Sequence, residues 1–401
     1  MNTAEFIETY YTERNNTNSL KVDALQERYG DAGLLPLWVA DTEFSVPETV
    51  KNVLSERIAH GIFGYSTVPV DYFKAYDGWQ KRHAGTQFQA EWLHFSTGVV
   101  QALYDLIDCF TEEGDAVLVQ PPVYYPFYHA ISDKKRSLVT NPLILNDGIY
   151  QIDFADFETK IRDNKVKLFI LCSPHNPVGR VWQREELEKV LAICEKYQVL
   201  VIADEIHSDL ILSNQQFTSA ITAASNLKSL IVCNAPSKTF NMATLLNAHI
   251  WIPSKNNREI FAEWSSRNKQ TENSSLGQLA AKTAYQTGDE WLQAFLGVIE
   301  ENYHYVKDRL QTEIPEIFVG ELQGTYLLWL DLSQWIPKEK VKYYIQDKAQ
   351  LAIDYGEWFS EDCKSCIRIN LATSPKNIKI AVDRLIVVDQ LKKGVDNHDK
   401  I

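Results

Sequence analysis

The stretch of sequence that decides the fold is LIVCNAPSKTFN, residues 230–241. Its first half is a continuous apolar run, which is typical of a buried strand, and its second half is a sharp turn that carries Lys238. A lysine at the end of a buried strand is poorly suited to core packing. Desolvation makes its proton easier to lose, so it is well suited to attack an aldehyde cofactor as a nucleophile. The stretch therefore predicts a Schiff-base lysine.

Similar apolar runs occur earlier in the chain, where they alternate with segments of helical periodicity. Strands are predicted at 116–119, 167–172, 199–203 and 230–234, with helices beginning at Pro47 and Gly98 and another over 184–197. Because these strands are continuous runs of Val, Ile and Leu, they indicate a parallel sheet that is covered on both faces. The fold class is predicted to be α/β, with a doubly wound, mostly parallel sheet.

The pattern changes beyond about residue 288. A smaller α+β domain is indicated by a long helix through 303–310, a strand at 326–330, a helix over 337–349, a strand at 367–371 and a last helix after Pro375. Segment 34–44, which is apolar and then acidic, is predicted to be an extended arm. We therefore predict a large domain over 46–287 and a small domain formed by 1–45 plus 288–401.

The composition argues against several classes of function. Of the 401 residues, 45% are hydrophobic and 23% are charged, as in a globular protein. The formal net charge of -13 argues against broad binding to nucleic acid or to anionic membranes. No apolar run has the length of a membrane span, and residues 1–16 lack the pattern of a signal peptide. We expect neither a nucleic-acid partner nor a membrane.

The cysteines indicate a reduced, cytoplasmic protein. Six are scattered along the chain, and four of them lie in apolar segments. Cys363 and Cys366 have the spacing of a zinc or redox pair, but no second pair stands at zinc-site spacing and the pair precedes a predicted strand instead of opening a helix. We therefore predict no metal site.

Polar residues follow the predicted strands at the points where the strands end. Asn176 follows the strand at 167–172, Asp204 the strand at 199–203, and Lys238 the strand that ends at 234. In an open α/β sheet, ligands collect at the carboxyl ends of the strands. The small residues before the helix at Gly98 leave its N-terminus open to an anion such as a phosphate. Together these features predict a pyridoxal phosphate site.

Each residue type suits one part of that cofactor. A carboxylate at Asp204 keeps the pyridine nitrogen protonated, the Asn176 amide donates to the phenolate oxygen, and Tyr124 stacks on the ring. Taken singly, each has an ordinary structural explanation, such as a turn carboxylate, a turn amide before proline or a solvated lysine. The prediction depends on their joint occurrence at strand ends.

A resemblance to a known family extends over most of the chain. It is carried by the motifs WVAD (38–41), GIFGY (61–65), PHNPVGRVW (174–182), DEIHSDL (204–210), SKTFN (237–241) and RIN (368–370). Together they resemble the MalY/PatB-type cystathionine β-lyases, which are fold-type I, aspartate-aminotransferase-like pyridoxal phosphate enzymes. The resemblance implies β-elimination of cystathionine or related cysteine S-conjugates to a thiol (homocysteine), pyruvate and ammonia, in sulfur amino acid metabolism and methionine biosynthesis.

The resemblance also implies roles for the matching residues. The catalytic residues would be Lys238 and Tyr124. The cofactor-binding residues would be Lys238, Asp204, Asn176, Tyr124, His207, Gly98, Val99, Val100, Tyr65 and Ser237. The substrate-binding residues would be Arg368, which binds the α-carboxylate, and Asp41. In a homodimer Tyr65 would reach the phosphate of the neighbouring subunit. Structural alternatives are a histidine below the ring without chemistry, a surface salt bridge for Arg368, and a loop aromatic packed on its own domain for Tyr65.

Some positions depart from the family pattern. Thr42 and Glu43 stand where the family usually has Met and Asp, and Ala235 and Leu246 replace a serine and an arginine that bind the phosphate in many aminotransferases of this fold. The phosphate is therefore expected to depend on the amides of 98–100 and on Tyr65. Two alternatives to a lyase stay open: a class I/II aminotransferase, and a regulatory protein that retains the cofactor pocket.

Overall fold

The architecture combines a large central sheet, a smaller antiparallel sheet and the helices that cover them. The structure is a computed structural model that describes residues 1–270 and 273–398, with side chains described as far as residue 393. The α-helices are α1 (Thr3–Tyr10), α2 (Leu20–Asp23), α3 (Leu25–Tyr29), α4 (Glu48–His60), α5 (Tyr72–His83), α6 (Val99–Phe110), α7 (Pro126–Asp133), α8 (Phe154–Asn164), α9 (Arg184–Lys196), α10 (Ala220–Ala223), α11 (Pro236–Thr239), α12 (Lys255–Arg267), α13 (Ser275–Thr287), α14 (Asp289–Glu313) and α15 (Pro375–His398). The strands are β1 (Leu35–Pro36), β2 (Leu93–Ser96), β3 (Ala116–Val119), β4 (Ser137–Thr140), β5 (Ile144–Asn146), β6 (Ile149–Gln151), β7 (Leu168–Cys172), β8 (Leu200–Asp204), β9 (Leu230–Asn234), β10 (Ala248–Trp251), β11 (Phe318–Val319), β12 (Leu327–Asp331), β13 (Leu351–Ala352), β14 (Asp354–Tyr355) and β15 (Cys366–Asn370). Within the described residues, no helix is long and apolar enough to cross a membrane.

The central sheet has the strand order β2-β10-β9-β8-β7-β3-β4. Strands β4, β3, β7, β8 and β9 pair in parallel, whereas β10 runs antiparallel to both β9 and β2. The predicted α/β class with a doubly wound, mostly parallel sheet is therefore confirmed. The predicted strands at 116–119 and 230–234 have the observed bounds, and those at 167–172 and 199–203 differ by one residue at their ends.

Both faces of the central sheet are buried. Successive side chains of a strand point to opposite faces, and both sets belong to hydrophobic cores. On β9, Ile231 and Cys233 share a core with the apolar side chains of α6, while Leu230 and Val232 belong to the core on the other face. Fully burying one such aliphatic side chain contributes about 1.5–3 kcal/mol to stability. A strand that is buried on both sides must be apolar throughout, which explains the continuous runs in the sequence.

The second sheet lies in the C-terminal part of the chain, with the order β11-β12-β15-β14 and antiparallel pairing throughout. The N-terminal arm reaches the same part of the molecule, because β1 pairs in parallel with β13. The two ends of the chain thus lie together. The division into 46–287 and 1–45 plus 288–401 stays a prediction, and residues 399–401 lie outside the described residues.

The segment predicted as a helix over 337–349 is helical, but it is not a regular α-helix. The chain instead forms a 3₁₀ turn at Lys338–Lys340 and then a π-helical turn at Tyr343–Lys348. A π turn holds one more residue than an α-helical turn. Here it allows the neighbouring side chains of Ile345 and Gln346 both to be buried, and Gln346 donates to the backbone carbonyl of Tyr29. Tertiary packing therefore selects the type of helical turn in this segment.

The carboxyl ends of β7, β8 and β9 meet at one edge of the central sheet. Cys172 at the end of β7 is in register with Asp204 at the end of β8, and Asp204 is in register with Cys233 on β9. The segments that follow these strands therefore lie side by side. This edge is where ligands bind in open α/β sheets.

Candidate active site

A cavity of about 190 Å³ opens at this edge of the central sheet, and we call it the inner cavity. Of the predicted site residues, those that line it are Gly98, Val99, Val100, Tyr124, Asn176, Asp204, His207, Ser237 and Lys238. Tyr65, Arg368 and Asp41 are not part of its wall. The strand-end residues that the sequence places far apart are thus brought together around one space.

Lys238 lies on the short helix α11, which follows β9 directly. Its Nζ donates a hydrogen bond to the backbone carbonyl of Ala40, in the N-terminal arm, at 2.7 Å. Burial lowers the pKa of Lys238 to about 8, an effect that Arg368 reinforces and that Asp41 and Asp204 partly oppose. A larger fraction of this amine is therefore unprotonated near neutral pH than for an ordinary lysine, as nucleophilic attack requires.

Asp204 ends β8 and is buried at the floor of the inner cavity. Its only hydrogen-bond donor among the described residues is the backbone N–H of Ile206, at 3.1 Å. Burial raises the pKa of Asp204 to about 7, although that hydrogen bond and Lys238 act in the opposite direction. A buried carboxylate with so few donors fits a protonated pyridine nitrogen, which would supply both a hydrogen bond and a positive charge.

Asn176 lies in the loop after β7, and its side-chain orientation is determined by a neighbour. Its Oδ1 accepts a hydrogen bond from Nη1 of Arg368 at 2.7 Å. Because an arginine can only donate, the acceptor must be the amide oxygen, and the Nδ2 group is left as a donor. An amide donor in the wall of the inner cavity fits the phenolate oxygen of pyridoxal phosphate.

The N-terminus of α6 is the part of the inner cavity suited to a phosphate. Gly98 is the N-cap residue, no side chain caps the helix, and a Cβ at Gly98 would meet no atom within 4 Å. The first backbone N–H groups of the helix are therefore available to an anion. Ala235 and Leu246, which replace the expected serine and arginine, are absent from the cavity wall.

Tyr124 and His207 lie on the same cavity wall and differ in their polar contacts. Burial raises the pKa of the Tyr124 phenol far above its usual range, so this ring stays neutral. His207 is buried, and its Nδ1 has no hydrogen-bond partner among the described residues. Burial, Lys238 and Arg368 all hold the pKa of His207 well below its usual value, so the imidazole is neutral. The unpartnered nitrogen fits a site that is completed by a ligand.

Arg368 lies on β15 of the second sheet and is 2% exposed. Its Nε and Nη2 both donate to the Asp354 carboxylate on the adjacent strand β14, with which it is in register. The salt bridge is thus buried, in contrast to the surface pair considered as an alternative. Two of the five guanidinium donors remain after these bonds and the bond to Asn176, which suffices for one bidentate carboxylate.

A second cavity of about 680 Å³ adjoins the first, and we call it the outer cavity. The two share Ala40, Tyr124 and Lys238 in their walls, so both lie next to the lysine. Arg368 lies in the wall of the outer cavity. Lys238 therefore lines both the inner cavity, where the residues fit a cofactor, and the outer cavity, where a substrate would have room.

Asp41 is held by the N-terminal arm. Its Oδ2 accepts from Arg14 Nη2 at 2.7 Å, and Lys21 Nζ lies 4.0 Å from its Oδ1. The side chain is in the wall of neither cavity, whereas the preceding residue, Ala40, is in the wall of both. The predicted contact of Asp41 with substrate stays a prediction.

Two contributors were missed by sequence reasoning. Asp354 holds Arg368 in place, and Tyr326 donates through its hydroxyl to the carbonyl of Ala40 at 2.9 Å, the same oxygen that Lys238 binds. Asp354 stands in a short edge strand and Tyr326 precedes β12, with no motif around either. No local signal in the sequence marks them.

Comparison with known proteins agrees with this geometry. The family model described as aminotransferase class I and II matches residues 39–385. Cystathionine beta-lyase PatB of Bacillus subtilis (strain 168) is 38% identical over 375 residues, which cover 93% of this chain and 97% of that protein. The solved structure of cystalysin from Treponema denticola, which contains pyridoxal 5'-phosphate, has a TM-score of 0.91 and 32% identity, covering 96% of this chain and 98% of that chain. The pyridoxal-phosphate-bound C-S lyase from Staphylococcus hominis has a TM-score of 0.88 and 32% identity, covering 94% of this chain and 96% of that chain.

Proposed function

The chain belongs to the class I and II aminotransferase family and, within it, to the MalY/PatB-type cystathionine β-lyases, and on that premise we propose that it catalyses β-elimination from cysteine S-conjugates such as cystathionine. It is a pyridoxal-phosphate-dependent carbon–sulfur lyase, and its products are a thiol, pyruvate and ammonia. One observation supports this most directly: Lys238 lines both the cavity that contains Asp204 and the cavity that contains Arg368.

The residues of this chain divide the work of the reaction. When bound, pyridoxal phosphate supplies a ring that accepts electrons from the substrate Cα. Arg368 binds the substrate α-carboxylate through its two free donors and so orients the amino acid. Lys238 Nζ takes the proton from Cα, and its lowered pKa suits a general base near neutral pH. Asp204 keeps positive charge at the pyridine nitrogen, and the thiolate leaves from Cβ.

The decisive experiment measures products from the cofactor-loaded protein. We expect pyruvate and homocysteine from cystathionine, and we expect Lys238→Ala to lose both the reaction and the cofactor absorbance. Exchange of amino groups with a keto acid, with no pyruvate from any cysteine S-conjugate, would establish an aminotransferase instead. Turnover no faster than that of free pyridoxal phosphate would favour a regulatory protein.

A homodimer is also proposed, with Tyr65 completing the site of the partner subunit. Tyr65 is fully exposed and is not in the wall of either cavity of its own chain. It stands in a segment without regular secondary structure, together with the exposed apolar residues Ile62, Phe63 and Val70. Exposed apolar side chains in one segment are typical of an interface, and a phenol is a suitable donor to a phosphate.

A cytoplasmic location completes the proposal. All six cysteines are free thiols, and four of them are buried. Proteins of oxidising compartments commonly use such residues in disulfides, so unpaired thiols favour a reducing compartment. Cell fractionation tests this point, and recovery of the protein outside the cytoplasm would contradict it.

A further inference from the structure

The outer cavity extends beyond Lys238 and Arg368 to the helix α3 near the N-terminus. Its far wall carries Glu27 and Arg28 from that helix, together with the indoles of Trp38 and Trp358. Trp38 belongs to the N-terminal arm, and Trp358 lies in the 3₁₀ turn that follows β14. A substrate bound through its α-carboxylate at Arg368 would therefore have space for a long side chain.

The guanidinium of Arg28 lies close to two aromatic rings. Its guanidinium carbon lies 5.5 Å from the ring centroid of Trp38 and 5.0 Å from that of Trp358. Trp38 is itself fixed, because it is buried and donates through Nε1 to the carbonyl of Lys21 at 2.8 Å. Cation–π contacts on two rings orient the guanidinium without using its N–H donors.

The charged side chains that line the outer cavity differ in whether they have partners within the protein. Asp354 is paired with Arg368, and Lys238 donates to a backbone carbonyl. In contrast, Glu27 and Arg28 form no ion pair and no side-chain hydrogen bond with any other side chain that the structure describes. A carboxylate and an oriented guanidinium thus stand in the wall with their bonding capacity free.

We propose that Arg28 binds the distal carboxylate of a thioether that carries a second amino-acid group, and that Glu27 binds its distal ammonium. This inference rests on the proposed function and specifies its substrate class. Cystathionine carries such a zwitterionic group on the far side of its sulfur, whereas simple S-alkylcysteines do not. A site of one free cation and one free anion complements a zwitterion and discriminates against an alkyl chain, which leaves both charges unpaired.

Kinetics on three thioethers test the assignment. The variant Arg28→Gln keeps a planar, hydrogen-bonding side chain at this position but removes the charge. We expect kcat/KM to fall about 10- to 100-fold for cystathionine and for S-(3-carboxypropyl)-L-cysteine, which retains the distal carboxylate. For S-butyl-L-cysteine, which has a methyl group in place of that carboxylate, we expect a change below about twofold. An equal loss on all three thioethers, or no loss on any, would overturn the proposal.

Two further variants sharpen this experiment. Glu27→Gln is expected to weaken turnover of cystathionine and to spare S-(3-carboxypropyl)-L-cysteine, which lacks the distal ammonium. Arg162→Gln is the matched control, because Arg162 is an exposed arginine that pairs with Asp163 and lines neither cavity. Its kinetics should match the wild type on every thioether. If Glu27→Gln affected both carboxylate-bearing thioethers equally, its assignment to the ammonium would be wrong.

A binding measurement separates this proposal from the reaction type. L-2-Aminosuberate and L-2-aminooctanoate have no leaving group at Cβ and differ only in a distal carboxylate. We expect calorimetry on the cofactor-loaded wild type to give tighter binding of the aminosuberate by about tenfold, and Arg28→Gln to abolish that preference. Equal affinities in the wild type would overturn the role of Arg28. If the wild type made no pyruvate, the proposed function would fail, and this preference would still decide the role of Arg28.

Discussion

Arg368 and Asn176 are joined by a hydrogen bond of 2.7 Å, from Nη1 to Oδ1. The bond links β15 of the second sheet to the loop after β7 of the central sheet, so the residue proposed to bind the substrate and the residue proposed to bind the cofactor orient one another. Asp354 holds another edge of the same guanidinium. Two contacts that fix the guanidinium reduce the ordering that binding of a carboxylate would require, which favours binding.

Replacing Arg368 by lysine should impair substrate binding. A lysine carries the same charge but cannot form two parallel hydrogen bonds with a carboxylate. We expect kcat/KM for cystathionine to fall about 100-fold in Arg368→Lys, mainly through KM, with cofactor absorbance retained. Steady-state kinetics and an absorbance spectrum measure both. The control is Arg180→Lys, another buried arginine, which pairs with Glu186 at 2.7 Å and lines neither cavity. An unchanged KM in Arg368→Lys would contradict the assignment.

Replacing Asp354 by asparagine should destabilise the fold and weaken the substrate site together. The Arg368 charge would stay buried without its counter-charge, which costs about 3 kcal/mol when one partner of a buried pair is removed. Thermal or denaturant unfolding of Asp354→Asn measures the loss. Asp383→Asn removes a carboxylate whose side chain is about half exposed, 3.7 Å from Arg309, and should cost less than about 0.5 kcal/mol. Similar stability of the two variants would show that Asp354 does not stabilise Arg368.

The buried carboxyl of Glu205 should make stability depend on pH. Burial raises its pKa from 4.5 to about 8, against the hydrogen bonds that it accepts from Ser219 and the backbone N–H of Ala220. Between those two pH values the folded state binds a proton that the unfolded state does not, so stability falls as pH rises, by up to about 1.4 kcal/mol per pH unit. Glu205→Gln should remove this slope, and denaturant titrations between about pH 5 and 8 compare the two proteins. Parallel slopes would contradict the buried-proton explanation.

The central part of the site could be predicted because simple rules connect sequence to position there. Asn176, Asp204 and Lys238 each follow a continuous apolar strand, and neighbouring parallel strands bring their carboxyl ends to one edge. Arg368 lies in a different sheet, so its place at the site was expected only from the family resemblance, and its bond to Asn176 was not expected. The rule that carboxyl ends of neighbouring parallel strands meet at one edge applies within a single sheet, so it cannot predict contacts between two sheets.

Contacts between distant segments were beyond prediction. Asp354 contacts Arg368 on the adjacent strand. Arg28 contacts Trp38 and also Trp358, which is far from it in the sequence. Such pairs leave no periodicity in the sequence. The π turn at Tyr343–Lys348 is similar, since its residues have helical spacing and only their packing partners select the wider turn.

The proposed contribution of Tyr65 to the partner subunit makes a prediction about mixtures of two variants. Tyr65→Ala should fail to hold the phosphate in the partner's site, whereas Lys238→Ala loses the essential amine in its own site. Each homodimer would then have two defective sites. In a mixed dimer, one site combines the intact Lys238 of one subunit with the intact Tyr65 of the other.

Mixing the two inactive variants under conditions of subunit exchange should therefore restore activity. With equal amounts and random pairing, half of the dimers are mixed and each has one complete site of two, so roughly a quarter of the wild-type activity is expected. Pyruvate formation measures the recovery, and light scattering confirms the dimer. The matched control replaces Tyr65→Ala by Phe63→Ala, an exposed aromatic of the same segment, which should stay active alone. If Tyr65 instead served its own subunit, one site of every mixed dimer would lack Lys238 and the other would lack Tyr65. No activity would then return.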